Sequence, residues 1–448
     1  KSPAVDITNS LSGRLPGITV RQSSGEPGFD GSVISIRGIN TFGNTSPLTV
    51  IDGIPDRDGG IGRLNPQDIE SISVLKDASS AIYGARAANG VILVTTKKGS
   101  VGPPTLEYSF NAGFSTPSIF PKLSSSHEYA TILNELPIYK SIPVNEWDNA
   151  WSNIQSTGVY DSPTADISSL SANFNPEAVQ GYLIGNDPWK YPNTDWYDDT
   201  FKDWAPQQRH NIQLSGGTER LKYFTSLGYV YQDAIYENSA TFYKQYSIRT
   251  SLEAKVNDYI KMNVGLMSRR EDRNSPTVSA DDIFRMLQRG RPTEPAIWPT
   301  GEPGPDIENG QNPVVVTTGA TGYVKNPKDY IQFNGGINLT NPWIENLEFI
   351  LSGSVDVNKE NTKRWETPWQ LYSWNGVDRN SSGLSANVRS PFTDARLQEN
   401  SNSVLNTTFS GQLKYDFTIG ENHKFGLFAG ATREEFSGSN FFAFRRNF

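Results

Sequence analysis

Three histidines, His127, His210 and His423, are the only imidazoles in the chain. Imidazole is the usual general base and metal ligand near neutral pH. The three lie far apart in sequence, outside any H-E-x-x-H, G-x-S-x-G or phosphate-loop pattern, and His210 falls within an alternating run. A structural role is the expectation for His210, and no catalytic set and no enzyme activity are expected. "GEPGFDG" has glycines at the wrong spacing for a nucleotide loop, with no helix after it. "DGIPDRDGG" offers Asp52, Asp56 and Asp58 but lacks the spacing and the distal Glu of a calcium loop, so it reads as a solvated turn. "DWYDDTFKD", with Asp195, Asp198, Asp199 and Asp203, could hold a cation or stay hydrated; hydration is the expectation. No metal site and no cofactor follow from these residues.

Tryptophan is more informative. Of ten, nine fall in long polar stretches: Trp147, Trp151, Trp189, Trp196, Trp204, Trp298, Trp365, Trp369 and Trp374. Trp343 alone sits in a short connection. Aromatic faces stack on sugar rings or anchor protein interfaces. Packing the loops themselves is the alternative, and both readings stay open here.

These residues have to be positioned by something, and composition narrows what. Hydrophobic residues make up 36% of the 448, and no window holds the roughly eighteen apolar residues of a helical span. A membrane role would therefore need β-strands, whose alternating pattern hydropathy scans miss. A net charge of −8 with only short basic pairs such as Lys97-Lys98 and Arg269-Arg270 offers no face for nucleic acid. The absence of cysteine removes disulfides and thiolate metal sites. The start at Lys1 shows no signal peptide, so a removed signal or a longer precursor is expected.

Residues 1 to 99 are built from short pieces. "AVDITNSLSGRLPG" reads as a short amphipathic helix, "ITVRQ", "SVISIRG" and "PLTVIDG" as strands. In "LNPQDIESISVLKDASSAIYGARAANGVILVTTKKG" Asn65 can cap a brief turn that starts at Pro66, and Asn89-Gly90 makes a tight turn. The stretch reads as strand, helical turn and strand, a βαβ-like unit. "SVGPP" is the expected linker to the next region. Beyond it nine long alternating runs follow, at about 105–115, 207–217, 220–232, 241–254, 258–270, 328–339, 347–358, 402–417 and 423–436. In "TFYKQYSIRTSLEA" one face holds Phe242, Tyr246, Ile248 and Leu252, the other Gln245, Ser247, Arg249, Ser251 and Glu253. Connections alternate between short turns and the long excursions 116–206, 271–327 and 359–401, with 233–240 a brief exception. That segregation describes an outer-membrane barrel with turns in the periplasm and loops outside. Tyr259, Tyr330 and Trp343 fit interfacial girdles, with ordinary packing the alternative for each.

"IRGINTFGNTSPLTVIDGIP" followed by the Leu64–Gly99 stretch resembles the plug domain of TonB-dependent outer-membrane transporters of the SusC/RagA-like branch. "SLSGRLPGITV" and "SSGEPGFDGSVISIRG" are similar to the same plug, and "YPNTDWYDDTFKDWAPQQRHNIQLSGGTERLKYFTSLGYVYQDAIY" to the entry into the barrel. The resemblance implies a small α/β plug over residues 1–104, followed over 105–448 by the N-terminal part of an antiparallel transmembrane β-barrel in the bacterial outer membrane. A barrel of this kind has about 22 strands, so nine leave it incomplete in this chain. The TonB-contacting segment would lie before Lys1.

Implied partners are TonB, a SusD-like surface lipoprotein as a lid, outer-membrane lipid, and a dimer of transporter–lipoprotein pairs. The implied cargo is a glycan oligosaccharide, with peptide as runner-up. Plug arginines Arg37 and Arg86 are expected to meet barrel carboxylates, with Glu434 and Glu435 as candidates; a solvated Arg86 is the alternative. Trp189, Trp196, Trp204, Trp298, Trp365, Trp369 and Trp374 are the candidates to touch cargo or lid. A passive porin or adhesin and a soluble carbohydrate-binding β protein are the rival classes.

Overall fold

The apolar runs in the plug strands follow from a small sheet packed on both sides. The computed structural model describes residues 5–22, 24–36, 45–55, 57, 60–76, 78–166, 169–308, 311–388, 390, 392–419 and 423–447. Strands β1 (Ile18–Gln22) and β2 (Ser32–Ile36) pair antiparallel as a separate ribbon. Strands β3 (Leu48–Ile51), β4 (Ile54–Pro55), β5 (Ile69–Leu75) and β6 (Val91–Thr96) form a sheet in the order β4-β3-β6-β5. Helix α1 (Ile7–Ser10) starts on Asp6, whose carboxylate accepts the Thr8 amide at 2.8 Å. Ile7, Leu11, Ile34, Ile36, Ile92 and Val94 close one face of the sheet, and Leu48, Val50, Ala87 and Val91 close the other. Central β6 is flanked by both cores, which is why "VILV" shows no alternation.

Asn65 caps its turn as expected, accepting the Gln67 amide at 3.1 Å with Pro66 in the first position. The βαβ expectation is corrected. β5 and β6 are antiparallel neighbours, and the parallel pair is β3 with β6. The link between β5 and β6 holds only a 3-10 segment kinked at Gly84, too little to carry a parallel crossover.

From β7 (Gly102–Ser115) onward the chain makes one antiparallel meander. The two-residue strands β8 (Val159–Tyr160) and β9 (Leu170–Ser171) pair within its first loop. The wall continues through β10 (Ala205–Gly217), β11 (Leu221–Asp233), β12 (Phe242–Lys255), β13 (Ile260–Ser275), β14 (Gly322–Lys325), β15 (Lys328–Thr340) and β16 (Leu347–Glu366). After the hairpin of β17 (Gln370–Trp374) and β18 (Leu384–Val388), it ends with β19 (Arg396–Ile419) and β20 (His423–Arg446). The ten-stranded sheet runs β20-β19-β16-β13-β12-β11-β10-β7, with β14 and β15 sharing the position between β13 and β16. All nine alternating runs are strands of this sheet. β14 was not expected; β13, β16 and β19 run on past the apolar alternation, held by backbone pairing where both faces are largely polar, and β20 runs on through Phe441, Phe442 and Phe444. Pro103 and Pro104 lie inside edge strand β7 rather than in a free linker, as an edge allows.

Burial is inverted relative to a soluble sheet. On β11 and β12 the buried side chains include Ser226, Gln232, Gln245, Arg249 and Ser251, while Leu227, Tyr246, Ile248 and Leu252 are exposed. The wet faces turn toward the plug and the greasy faces turn outward. Loops and turns segregate to opposite ends of the wall. The loops carry helices α2 (Ser126–Ser141), α3 (Trp147–Ser156), α4 (Pro176–Ile184), α5 (Trp196–Thr200), α6 (Ala280–Arg289) and α7 (Pro313–Val316). They build their own cores: Trp196, Tyr197, Phe201, Tyr236, Ile283, Met286 and Leu287 form one, and Ile138, Ile142, Ala150, Ile154 and Tyr160 another.

Candidate functional site: the plug–wall interface and the loop cap

The plug meets the wall through polar side chains at alternate wall positions. Asn211 on β10 accepts from Asn65 Nδ2 at 2.8 Å and donates to Gln67 Oε1 at 2.8 Å. Gln213, two residues on, donates to the Gln67 carbonyl at 3.0 Å and to Asp68 at 3.1 Å. Ser226 on β11 donates to the second Asp68 oxygen at 2.7 Å. Burial pushes the Asp68 carboxyl above its ordinary value, against the hydrogen bond from Ser226 and the nearby Arg249 charge, which lower it.

Arginines carry most of the charge across the interface. Arg57 of the plug makes a bidentate pair with Asp356 on β16, Nε to Oδ2 at 2.9 Å and Nη2 to Oδ1 at 2.6 Å, with side-chain exposures of 4% and 6%. Its remaining nitrogen donates to Asn334 at 3.3 Å. Arg249 on β12 reaches the Lys97 carbonyl at 2.9 Å, the Thr96 hydroxyl, and Asp52 at 3.6 Å. At the plug apex, Glu26 pairs with Arg273 at 3.4 Å and accepts from Tyr236 at 3.2 Å, and Asp30 accepts from Gln232 at 3.0 Å. A cavity of about 370 Å³ remains between β3 and β6 of the plug and β12, β13 and β15 of the wall, with Asp52, Arg57 and Arg249 on its sides.

Among the residues singled out from sequence, Arg86 forms a bidentate pair with Glu434 at 3.0 and 3.1 Å, with exposures of 48% and 42%. Glu435 points to the other face of β20 and pairs with Arg433 at 3.1 Å. Arg37 lies outside the described residues, as do Asp56 and Asp58. Sequence reasoning missed Arg57 and Asp356. Arg57 sat between the aspartates of "DGIPDRDGG", and Asp356 was the one carboxylate on the wet face of "SGSVDVN".

The tryptophans separate into packed and presented groups. Trp189 and Trp298 stack at 5.3 Å between ring centroids, with Trp374 at 5.6 and 6.3 Å from them. This stack joins three loops, and the Asp187–Arg379 ion pair lies beside it. Trp196 is fully buried in the loop core and donates to the Arg291 carbonyl at 3.1 Å. Trp369 packs with Leu371, Val315 and Phe392. Trp365 is half-buried on β16, and Trp204, 54% exposed, stands edge-on to Phe114 at 4.7 Å. Ile132, Leu136 and Tyr139 form an exposed apolar stripe along α2.

Among the described residues no group of His, Asp and Glu could hold a metal ion. Asp195 caps α5, accepting from the Tyr197 amide at 3.0 Å. His127 contacts the Val179 carbonyl at 3.2 Å, and His210 bonds Tyr108 at 2.9 Å on the outward face.

Residues 1–91 match the family described as the TonB-dependent Receptor Plug Domain. The chain is 29% identical over 452 residues to TonB-dependent receptor P26 of Formosa agariphila, covering 97% of this chain and 38% of that protein. It is 31% identical over 275 residues to TonB-dependent receptor SusC of Bacteroides thetaiotaomicron, covering 59% of this chain and 23% of that protein. The chain therefore spans well under half the length of these curated relatives. Each is named a receptor rather than an enzyme. In fold it superposes on the RagAB peptide importer in its closed-closed state with a TM-score of 0.70 at 20% identity, covering 100% of this chain and 48% of that one. Among the described residues no helix is long and apolar enough to cross a membrane, and the strands carry the apolar outward band. Plug, inverted wall and kinship along nearly the whole chain place it in the outer membrane and support a SusC-like TonB-dependent transporter.

Proposed function

We propose that residues 1–104 act as the movable plug, and 105–448 as part of the wall and loop cap, of an active importer of glycan oligosaccharides. The observation that carries this is the anchored interface. A plug held by Arg57–Asp356, Arg249 and the Asn65–Asp68 lattice moves only when those bonds are broken, so transport past it needs work done on the plug, which TonB supplies in this family. A passive porin would have no use for such anchoring. Uptake by the full-length protein that survives collapse of the proton gradient would sink the active reading.

A SusD-like lipoprotein lids the loop cap in this reading. Support comes from the stripe Ile132, Leu136 and Tyr139, whose spacing presents apolar anchors on one helix face with a charged rim. Trp189 and Trp298 are buried in their stack, which leaves half-buried Trp374 as its ring offered to a sugar. Peptide cargo is the second reading, favoured by the fold neighbour named a peptide importer. Purifying the full-length protein with its lipoprotein and identifying bound ligand by mass spectrometry separates the two: sugars support the first reading, peptides the second.

A further inference from the structure

The outer wall changes character along each strand. Near the turns the outward residues are apolar, with Val264, Ile337, Leu351 and Leu413 in successive strands. Toward the loops the same outward parity becomes charged at Lys244, Arg270, Asp272, Lys359 and Lys363. Arg270 stands ten residues beyond the start of β13. At about 3.3 Å per residue and a tilt near 40°, this is about 25 Å above the turn end, the height of the apolar band of such barrels. The charged rows therefore begin where hydrocarbon gives way to lipid headgroups.

At that level a cleft of about 600 Å³ is sunk into the outer face. It opens where the strand between β13 and β16 is interrupted: β14 ends at Lys325, β15 begins at Lys328, and Pro327 stands in the gap. Its outward cations are Lys244, Arg270, Lys325 and Lys363, against the carboxylates of Asp272 and Glu399. Arg270 is shared between Asp272 at 3.3 Å and Asp329 at 3.5 Å, and Lys363 pairs with Glu399 at 3.1 Å. Among the described residues Lys244 and Lys325 have no carboxylate in ion-pair range. Each instead stands over an aromatic ring, Phe242 at 4.7 Å and Tyr323 at 4.6 Å. Two ammonium groups, steered by rings and held out of ion-pair contact, Lys244 even though it stands in register opposite Asp272, share one concavity at headgroup height. A second, apolar hollow lies lower on the same face between Val264, Leu351 and Phe409, where Gly335 and Gly353 pair side by side.

We propose that this cleft binds the phosphorylated headgroup of an outer-leaflet lipid, with Lys244 and Lys325 as the phosphate ligands and the hollow below taking an acyl chain. Phosphate suits the site because an ammonium binds it as a point charge and the unpaired pair supplies two. The apolar hollow selects a lipid over a free anion.

The test uses the full-length protein, delipidated in dodecyl maltoside and titrated with bisphosphorylated lipid A under native mass spectrometry. The parent should retain one tightly bound lipid per chain. Lys244→Gln with Lys325→Gln should weaken it by about ten-fold or more, while Arg at both positions should retain it and Lys424→Gln, at the turn end, should change nothing. Dephosphorylated lipid A should bind the parent as weakly as lipid A binds the Gln pair. The proposal is overturned if the Gln pair, shown to be folded by heat-modified migration, binds like the parent. It is overturned equally if both lipids bind the parent alike, or if equimolar inorganic phosphate displaces lipid A, which would make this a soluble-anion site.

Discussion

Of the arginine pairs that join plug and wall, Arg57–Asp356 and Arg86–Glu434 are the extremes of exposure, and exposure ranks them. Arg86–Glu434 is nearly half exposed on both sides, where an ion pair contributes up to about 1 kcal/mol. Arg57–Asp356 is buried and bidentate, so removing one partner strands a charge at a cost of about 3–5 kcal/mol. In the full-length protein Arg57→Ala should therefore lower the urea midpoint of plug unfolding and raise conductance in planar bilayers, while Arg86→Ala leaves both nearly unchanged. Equal effects of the two substitutions would remove the ranking. Asp68 carries a second expectation. Its carboxyl is raised by burial, so between 3.8 and that raised value the folded plug binds more protons than the unfolded one. The stability Asp68 contributes is present below 3.8 and lost as pH rises through its folded pKa. Asp68→Asn should flatten that part of the pH dependence of plug unfolding, and an unchanged slope would show that the titration lies elsewhere. Neither Arg57 nor Asp68 stood out in the sequence, because each needs a partner more than a hundred residues away to acquire meaning.

At the scale of elements, legibility followed the solvent. The wall strands were readable because lipid on one face and a polar plug on the other enforce a strict period of two, as in Gln245, Ser247, Arg249 and Ser251 against Tyr246, Ile248 and Leu252. Past the lipid both faces are wet, the period fades, and the outer ends of β16 and β19 could not be read although their backbones stay paired. The loop helices were missed for a different reason. α2 had a signature in Ser125 and Glu128, which form a reciprocal capping box, but its apolar residues divide between a loop core and an exposed stripe. That stripe invites a test of the lid. Ile132→Glu with Leu136→Glu touches exposed positions only, so insertion should be intact while lipoprotein recovered in a pull-down falls steeply; full recovery would put the lid contact elsewhere. The plug apex gives a further expectation. Gly28 has φ +74° and its absent Cβ would lie 2.3 Å from the Tyr243 ring. Gly28→Ala should push the apex off β12 and destabilise plug docking by about 1–3 kcal/mol, combining backbone strain with overpacking. An unchanged urea midpoint would show that the apex loop yields.

At the scale of the molecule, the described wall is a sheet with two ends. β7 pairs only with β10 and β20 only with β19, and the two edges do not meet. Each edge presents a row of backbone N–H and C=O groups, and in hydrocarbon every such group left unpaired costs several kcal/mol. β20 shows how open that end is, with its described side chains exposed on both faces, Phe425, Phe428, Phe436 and Phe441 among them. The plug cannot close the gap, because its bonds to the wall run through side chains and its own strands stay in separate sheets. Residues 1–448 expressed alone should therefore aggregate or be degraded, whereas the full-length protein, whose relatives are two to four times longer than the part matched here, should insert. Heat-modified migration in detergent reads this directly. A closed barrel shifts on boiling because its hydrogen-bonded ring resists the detergent until heated, and an open sheet has no ring to resist with. Recovery of a heat-modifiable monomer from residues 1–448 would mean that the edges find each other or a second copy, and that closure does not need the rest of the wall.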